Sequence, residues 1–395
     1  MSARVSAESI DPRFYDHLGE VPADWLDDFL YQSVELVDRY GREWALETAH
    51  RLGVPAALAA GSGTATELTA RLGFVPSFER ALTWVLDQLT GAGFVAAVGA
   101  PRARRYGSQG EIRPAALGAI RTAALEHDER NAPFLDLLDL AGEIYPAVAR
   151  GEKNGEAALL GMGQTSLWLR YFDNQNPVYA LNNRLAALAA ANRCPSGARA
   201  LEVGAGGGSA TFAFLEVLAP PKREALARYR LTEPAAFFRR RAVRGLAESF
   251  PGLPLENGEL DIDRSWADQG AEPGTWDLVY GVNVFHVAKR LPAALAEAHR
   301  CLAPGGWLVF GECLRPFPGQ AITAEMPFQI LDGFLGVDTD PETRPHPGFL
   351  EPELWVENLR RAGFVDITVV PDVREIRQFY PRFFAGAVCG RKETS

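Results

Sequence analysis

Apolar runs of strand length alternate with helix-like segments after residue 200. The runs are Arg199–Val203, Tyr229–Leu231, Leu260–Ile262, Trp276–Tyr280, Trp307–Phe310, Val365–Val370 and Ala385–Gly390. This alternation predicts a doubly wound α/β sheet, in which helices on both faces connect parallel strands. Ligands of such sheets lie beyond the carboxyl ends of the strands, so functional side chains are expected where each run ends.

The segment between Trp44 and Tyr106 predicts three short helices followed by a hairpin. A capping-box sequence, Thr64–Glu67, begins the second helix, and Ser77 begins the third. A turn at Gly99–Arg102 separates the two short strands. This order of elements is the pattern of a winged-helix domain.

The stretch from Pro114 to Arg193 is helical in pattern and has no strand alternation. We therefore expect three segments. They are a winged-helix domain over 1–110, a helical linker over 111–192 and an α/β domain over 193–395.

The charge balance favours small-molecule chemistry. The 395 residues carry a formal net charge of −10, which does not suit nucleic acid or an anionic membrane as the main partner. The third predicted helix, which would enter a DNA groove, carries Glu79 and Asp87. Only the wing is basic, through Arg102, Arg104 and Arg105. A DNA-binding regulator is therefore the least favoured class.

The sequence shows no sign of export or of insertion into a membrane. The N-terminus lacks an apolar targeting segment, and no apolar run approaches the roughly 18 residues that cross a bilayer. The 4 cysteines form no CxxC pair, so buried thiols are expected rather than a zinc ribbon or disulfides. We expect a cytoplasmic protein.

Residues 201–208 read Leu-Glu-Val-Gly-Ala-Gly-Gly-Gly, where the first strand should give way to a helix. Gly204, Gly206 and Gly208 remove Cβ atoms where the backbone bends and a ligand can lie against it. Glu202 adds a carboxylate, which suits hydroxyls, an amine or a cation better than a pyrophosphate. The spacing differs from the dinucleotide fingerprint G-x-G-x-x-G, so a nucleotide-like cofactor other than NAD is expected.

Later strand ends supply residues for the rest of such a cofactor. Glu233 follows the second run, at about the separation from the glycines where a carboxylate accepts both hydroxyls of a ribose. Asp261 could accept the amino group of adenine while Ile262 packs on the ring, although a solvated loop aspartate is an equal interpretation. Asn283 follows the fourth run and is a further candidate for the cofactor site.

These motifs occur in the order of a known family. The series is the glycine loop, Glu233, Asp261–Ile262, Trp276–His286 and Leu302–Glu312. It resembles class I S-adenosylmethionine-dependent methyltransferases. The sequence Asn-Val-Phe-His at 283–286 and Arg-Pro-His-Pro-Gly-Phe-Leu at 344–350 is similar to methyltransferase domains of polyketide and peptide synthases. The resemblance implies a Rossmann-like domain that uses S-adenosylmethionine. Glu233 departs from these domains, which usually carry Asp there, but a ribose contact survives the change.

The N-terminal sequence resembles another branch of the same class. Ala-His-Arg-Leu-Gly-Val-Pro at 49–55 and Leu-Asp-Gln-Leu-Thr-Gly-Ala-Gly-Phe-Val at 86–95 are similar to the winged-helix domain of bacterial and plant O-methyltransferases. In that family the domain serves dimerisation and closes the substrate pocket, which implies a homodimer. Similar methyltransferases also cover the cofactor with a tyrosine and an asparagine before the core, which implies these roles for Tyr179 and Asn183.

Methyl transfer to an acceptor requires a group that disposes of the acceptor's proton. Of the 6 histidines, only His286 follows a strand at the expected cofactor edge. A neutral imidazole suits removal of a proton from a carbon next to a carbonyl, or from a phenol, near neutral pH. Glu312 ends the next strand and would fix the tautomer of the imidazole. The resembled families also use a His–Glu pair here, so we expect His286 as the base and Glu312 as its orienting partner.

A third candidate histidine, His346, lies in the proline-rich loop Asp338–Pro347. The loop follows a predicted lid helix, Met326–Leu335, and precedes a predicted helix, Glu351–Ala362. We expect His346 to line the substrate pocket or its rim. Asp332 on the lid helix is a candidate substrate contact, with a solvated helix face as the alternative.

A metal site is a further alternative for the same residues. Some carbon methyltransferases bind a divalent metal through histidines in this region, and His286, Glu312 and His346 could together form a two-histidine-one-carboxylate site. Spacing along the chain does not establish that these side chains converge, so no metal is expected.

Together the motifs favour a methyltransferase that acts on a small specialised metabolite derived from a polyketide or an amino acid. The substrate is free or tethered to a carrier protein, and the acceptor is an enolisable carbon. Methylation of a phenol or enol oxygen uses the same base and stays open. A third alternative retains the cofactor fold but catalyses a cyclisation without methyl transfer.

Overall fold

Two β-sheets organise the chain, a three-stranded sheet before residue 110 and a seven-stranded sheet after residue 198. The computed structural model describes residues 9–100 and 103–394. The strands are β1 (Gly63–Thr64), β2 (Val95–Val98), β3 (Arg105–Ser108), β4 (Arg199–Val203), β5 (Arg228–Thr232), β6 (Leu255–Gly258), β7 (Trp276–Val282), β8 (Leu302–Cys313), β9 (Val365–Val370) and β10 (Ala385–Arg391).

The α-helices follow the chain in this order: α1 (Asp28–Arg51), α2 (Val54–Ala59), α3 (Ala65–Arg71), α4 (Glu79–Gly91), α5 (Leu117–His127), α6 (Ala132–Ala149), α7 (Gly155–Leu160), α8 (Thr165–Tyr171), α9 (Pro177–Arg193), α10 (Ser209–Val217), α11 (Pro220–Glu224), α12 (Ala236–Ser249), α13 (Leu291–Cys301), α14 (Asp332–Leu335), α15 (Pro352–Arg361) and α16 (Val373–Ile376).

The backbone divides into two compact units. Apart from Ser9, the described part of the first unit consists of 28–171 and 319–335. The second consists of 10–27, 172–318 and 336–394. The three-segment division over 1–110, 111–192 and 193–395 stays a prediction.

The first unit contains the predicted winged-helix elements. The first predicted helix is the end of the 24-residue α1, and the second and third are α3 and α4; the short α2 between α1 and α3 was not predicted, and the sheet has strand order β1-β3-β2. The capping box is present, because the Thr64 hydroxyl accepts from the Glu67 amide and the Glu67 carboxylate accepts from the Thr64 amide. Helix α4 begins two residues after Ser77, since a 3₁₀ turn over Pro76–Phe78 precedes it. Arg102, one of the predicted basic wing residues, lies outside the described residues.

The predicted lid helix over Met326–Leu335 is wrong. The segment forms a 3₁₀ helix over Thr323–Ile330, an extended residue at Leu331 and the short helix α14. Pro327 lies inside the 3₁₀ helix; it lacks an amide hydrogen and disfavours helical geometry in the residue before it. Within the same unit the carbonyl of Met326 accepts from the Tyr145 hydroxyl at 2.7 Å instead of continuing a helix.

The second unit is built on a sheet of strand order β6-β5-β4-β7-β8-β10-β9. Neighbours among β6, β5, β4, β7 and β8 are parallel, as the alternating pattern predicts. Strand β10 is antiparallel to both β8 and β9, which the prediction of a wholly parallel sheet did not include. The connection from β9 to β10 contains the four-residue helix α16 instead of the longer crossover helix that usually joins parallel strands.

The third strand of this sheet lies earlier than its predicted position. The pattern pointed to Leu260–Ile262, whereas β6 covers Leu255–Gly258 and pairs with β5. β6 is an edge strand whose central residues are exposed, so it lacks the apolar run on which the prediction depended. Asp261 and Ile262 therefore follow the strand in a loop.

Two further observations concern the described residues as a whole. All 4 cysteines are free and buried, as expected. No helix among the described residues is both long enough and apolar enough to span a bilayer.

The packing of α6 against α1 predicts opposite effects for two glycine-to-alanine changes. A Cβ at Gly142 would lie 2.1 Å from Cε3 of the buried Trp44 ring, so Gly142→Ala should lower the free energy of unfolding by about 1–3 kcal/mol. A Cβ at the exposed Gly118 in α5 meets nothing within 4 Å. Gly118→Ala should therefore stabilise by about 0.5–1 kcal/mol. Urea denaturation of both variants tests this, and equal effects would contradict the packing.

Candidate active site

The glycine loop forms the turn between β4 and α10. Gly204, Gly206 and Gly208 have φ angles of 67°, 54° and 93°, in the left-handed region. A Cβ at Gly204 would lie 2.5 Å from a Val284 methyl, and one at Gly208 would lie 3.0 Å from Ala242. A Cβ at Gly206 would meet nothing within 4 Å. The backbone at Gly206 therefore borders open space, as a turn that receives a ligand requires.

Glu202 lies fully buried near the end of β4. Its Oε2 accepts hydrogen bonds from the Thr211 hydroxyl at 2.7 Å and from the Tyr229 hydroxyl at 2.6 Å. Its Oε1 is buried and has no hydrogen-bond partner. Burial raises the pKa of Glu202 to about 7. A buried acceptor of this kind is suited to an amine or another cationic donor from a ligand.

Glu233 closes the other side of the glycine turn. Its Oε2 accepts from the Gly206 amide at 3.0 Å and its Oε1 accepts from the Ala235 amide at 2.8 Å. Burial raises the pKa of this carboxyl above its ordinary value. Each carboxylate oxygen can accept a second hydrogen bond, so hydroxyl groups of a ligand could still bind here.

Asp261 and Ile262 lie in the loop after β6. The Asp261 carboxylate is exposed and accepts from the Asp263 amide at 3.0 Å. Ile262 is half-buried, and its carbonyl accepts from the Trp266 indole at 3.2 Å. Their predicted contacts with adenine stay predictions.

The aromatic and amide-rich segment before β4 is attached to the start of α10. The Ser209 hydroxyl donates to the Phe172 carbonyl, and the Asn174 amide donates to the Ser209 carbonyl at 2.8 Å. Asn183 in turn donates to Asn174 at 2.8 Å. The Tyr179 ring packs edge-on against Phe172, and burial raises the pKa of its hydroxyl. Tyr179 and Asn183 thus belong to a segment that is bonded to the helix following the glycine turn.

Asn283 has a φ angle of 51°, one of two non-glycine residues with positive φ among those described. It follows β7 directly. Its backbone amide donates to the Gly311 carbonyl at 2.8 Å, and its side-chain Oδ1 accepts from the backbone amide of Cys313 at 3.2 Å. Asn283 therefore connects the ends of β7 and β8, and its predicted contact with a cofactor stays a prediction.

His286 and Glu312, which the sequence places at the ends of neighbouring strands, are in direct contact. His286 lies in a 3₁₀ turn, Phe285–Val287, and its Nδ1 is 2.7 Å from Glu312 Oε2. Glu312 Oε1 accepts from the amides of Phe285 at 2.9 Å and of His286 at 3.1 Å. Both side chains are buried. Because the carboxylate accepts, Nδ1 carries the proton in the neutral ring and Nε2 carries the lone pair.

Two groups of residues beside these carboxyls were missed by the sequence analysis. Thr211 and Tyr229 donate to Glu202 from α10 and β5. Arg344 is 2% exposed and donates to the carbonyls of His286 and Ala288. The contacts of Tyr229 and Arg344 follow from no local pattern, because they join residues 27, 56 and 58 positions apart. Thr211 lies only 9 positions from Glu202, but its position early in α10 does not by itself indicate this contact.

The structure places His346 and Asp332 in different units. His346 is half-buried, and its Nε2 lies 3.1 Å from Oε2 of the buried Glu351. Asp332 is exposed at the start of α14 in the first unit. Within residues 9–100 and 103–394, no group of three or more His, Cys, Asp or Glu side chains is arranged to hold a metal ion.

The pKa of Glu202 predicts how stability depends on pH. Its ordinary value of 4.5 applies to the unfolded chain, and burial raises it to about 7 in the fold. Between these values the folded state binds the extra proton, so the free energy of unfolding falls as pH rises from about 4.5 to 7 and then levels off. Relative to Glu202→Gln, the wild type should lose on the order of 1–3 kcal/mol over this range, measured by urea denaturation without ligand. Parallel pH curves for the two proteins would contradict the burial effect.

Comparison with known proteins identifies part of the chain. Residues 201–308 match the model of a family described as a methyltransferase domain. Among curated proteins, the highly reducing polyketide synthase frbB of Dothideomycetidae sp. (strain 11243) is 29% identical over 226 residues. The match covers 57% of this chain and 8% of that synthase. The chain therefore spans less than a tenth of the length of this relative.

Solved structures share the fold over nearly the whole chain. The selenomethionine-substituted CurJ carbon methyltransferase aligns with a TM-score of 0.74 at 21% identity, covering 97% of this chain and 96% of that one. The trans-methyltransferase CalH, solved in complex with SAH, aligns with a TM-score of 0.60 at 21% identity, covering 91% and 90%. Residues 201–308 are thus similar to a methyltransferase domain, and the chain shares the fold of the CurJ carbon methyltransferase.

Proposed function

We propose that the chain transfers a methyl group from S-adenosylmethionine to an enolisable carbon of a polyketide-type acyl substrate, with His286 as the base. The contact between His286 Nδ1 and Glu312 Oε2 carries this proposal. A buried carboxylate on Nδ1 orients the ring, fixes the tautomer with its lone pair on Nε2 and stabilises the imidazolium that forms. An imidazole oriented in this way is suited to remove a proton from carbon near neutral pH.

The residues around the glycine turn fit the cofactor. Glu202 offers a buried oxygen without a protein partner, which matches the ammonium of a methionine group. Gly206 borders open space, and Glu233 beside it can accept from ribose hydroxyls. We assign these three residues to the cofactor, together with Tyr179 and Asn183 as its cover. When bound, S-adenosylmethionine supplies a methyl group on a positively charged sulfur, an electrophile that needs no further activation.

The chain's own residues would align the acceptor and move its proton. Nε2 of His286 would take the proton from the acceptor carbon, whose C–H electron pair would become available for the bond to the methyl group. The bond between that methyl group and sulfur would break, with its electron pair left on the sulfur. Glu312 remains ionised and pairs with the imidazolium. The proton then passes to solvent and restores the neutral ring.

The proposal of carbon rather than oxygen as the acceptor rests on the proteins to which the chain is similar. Its curated relative is a polyketide synthase, and CurJ is described as a carbon methyltransferase. Carbons between two carbonyls, as in β-ketoacyl thioesters, are acidic enough for an imidazole base. O-methylation of a phenol or enol would use the same pair, and a cyclisation without methyl transfer would leave the cofactor unchanged.

Substrate presentation follows from the same relatives. We propose an acyl thioester, free or tethered to a carrier protein, with His346 and Asp332 as candidate substrate contacts. The homodimer and the cytoplasmic location stay predictions.

An assay with isotope-labelled methyl donor and an acetoacetyl thioester mimic tests the reaction. NMR of the product should show a methyl group bonded to carbon, together with release of S-adenosylhomocysteine. An O–CH₃ resonance would contradict the carbon assignment. Conversion of the acceptor without release of S-adenosylhomocysteine would favour the cyclisation.

His286→Ala tests the base. Turnover should fall by about two to four orders of magnitude, because proton removal loses its acceptor, while the affinity for S-adenosylhomocysteine stays nearly unchanged. The matched control is His299→Ala in α13, whose ring packs against Phe364 and whose loss should leave turnover nearly intact. Near-normal turnover in His286→Ala would end the assignment.

Glu233→Gln tests the cofactor site. The variant keeps the shape of the side chain but removes its charge, so calorimetry should show S-adenosylmethionine binding weakened about tenfold or more. The control is Glu256→Gln, an exposed carboxylate paired with Arg228, which should bind as the wild type does. Equal affinity in Glu233→Gln would remove this residue from the site, and no binding to the wild type would contradict the proposed cofactor.

A further inference from the structure

Arg344 is a buried arginine whose guanidinium binds the turn that carries His286. It is 2% exposed, and among the described residues no carboxylate lies within ion-pair distance of it. Its Nη1 donates to the Ala288 carbonyl at 2.6 Å and its Nη2 donates to the His286 carbonyl. Burial lowers the pKa of Arg344 to about 10, and the charge of Glu312 acts in the opposite direction. The guanidinium nevertheless remains protonated near neutral pH.

The segment that carries Arg344 is itself held in place. A bridge joins the backbones of Asp340 and Arg344, with both hydrogen bonds at 2.9 Å. The Asp340 carboxylate accepts from the Thr343 amide and hydroxyl, and the Asn358 amide in α15 donates to the Thr343 carbonyl at 2.8 Å. The arginine is thus presented by a tight turn that is anchored to a helix.

Two opposite charges therefore hold the His286 turn from its two sides. Glu312 from β8 accepts the amides of Phe285 and His286, and Arg344 from the loop binds the carbonyls of His286 and Ala288. The planar fork of arginine holds two carbonyls in a fixed geometry, whereas a lysine ammonium is a compact donor at the end of a flexible stem. We propose that Arg344 is a positioning residue for the base, which holds the carbonyl side of the turn and adds a positive charge beside it. This inference rests on the proposed function, since it takes His286 to be the base.

The electrostatic effect has a definite sign. A buried positive charge beside the turn disfavours a second positive charge on the imidazole and offsets part of the charge of Glu312. Asp263 and Asp338 also attract Arg344, and the Phe349 ring packs on His286 with centroids 4.5 Å apart. Removing the guanidinium should therefore let His286 take up a proton at higher pH.

Two substitutions separate the effect of the positive charge from the effect of the two hydrogen bonds to carbonyls. In Arg344→Met, the NMR titration midpoint of the His286 imidazole should move up by about 0.5–1 pH unit, and the acid limb of the kcat profile should move with it. In Arg344→Lys, the midpoint should stay near the wild-type value while kcat falls about tenfold, because one ammonium replaces two fixed hydrogen bonds. Arg360→Met, which removes an exposed arginine paired with Glu357 in the same helix, should change neither quantity.

The outcomes distinguish this inference from the function on which it rests. An unchanged midpoint in Arg344→Met, or wild-type kcat in Arg344→Lys, would overturn the role of Arg344. If Arg344→Met does not fold, a loss of kcat in Arg344→Lys at an unchanged midpoint still supports it. Normal turnover in His286→Ala would refute the base but leave the midpoint shift as a separate result.

Discussion

The carboxylate of Glu312 is shared between the ring and the backbone of one histidine. One oxygen binds Nδ1 of His286 and the other accepts two consecutive amides of its turn. Burial of a carboxylate is costly unless donors meet its oxygens, and here the ring and two amides do so, so the turn and Glu312 stabilise each other. The parallel register supplies the alignment, because Val282 pairs with Gly311 and so brings the residues after β7 level with Glu312.

The three buried charges of this region differ in what they leave for a ligand. Protein donors engage both oxygens of Glu312, which makes it an internal support. Nη1 and Nη2 of Arg344 are directed at backbone carbonyls, and its Nε is buried without a hydrogen-bond partner among the described residues. Glu202 keeps one buried oxygen without a partner, and burial raises its pKa to about 7. An unsatisfied buried acceptor destabilises the ligand-free fold, and its position beside the glycine turn is what makes Glu202 a candidate for ligand binding.

The sequence predicted the features that depend on local pattern. The glycine turn and the strands ending near Glu202 and Glu312 follow from apolar periodicity and motif spacing, and the structure contains them. The contacts of Arg344 were not predictable, because they join residues 56 and 58 positions apart that only the fold brings together. The prediction of the lid helix was wrong because Pro327 lies inside this segment and disfavours a continuous α-helix. The predicted position of β6 was wrong because an exposed edge strand has little hydrophobic periodicity in its sequence.

The account depends on one neutral tautomer of His286, with the proton on Nδ1 facing Glu312. Nitrogen-15 NMR of histidine-labelled protein above the imidazole's titration range, with the resonances assigned through His286→Asn, measures this directly. The account predicts a protonated Nδ1 and an unprotonated Nε2 for this residue. A spectrum with the proton on Nε2, or a rapidly averaging mixture of both tautomers, would contradict it.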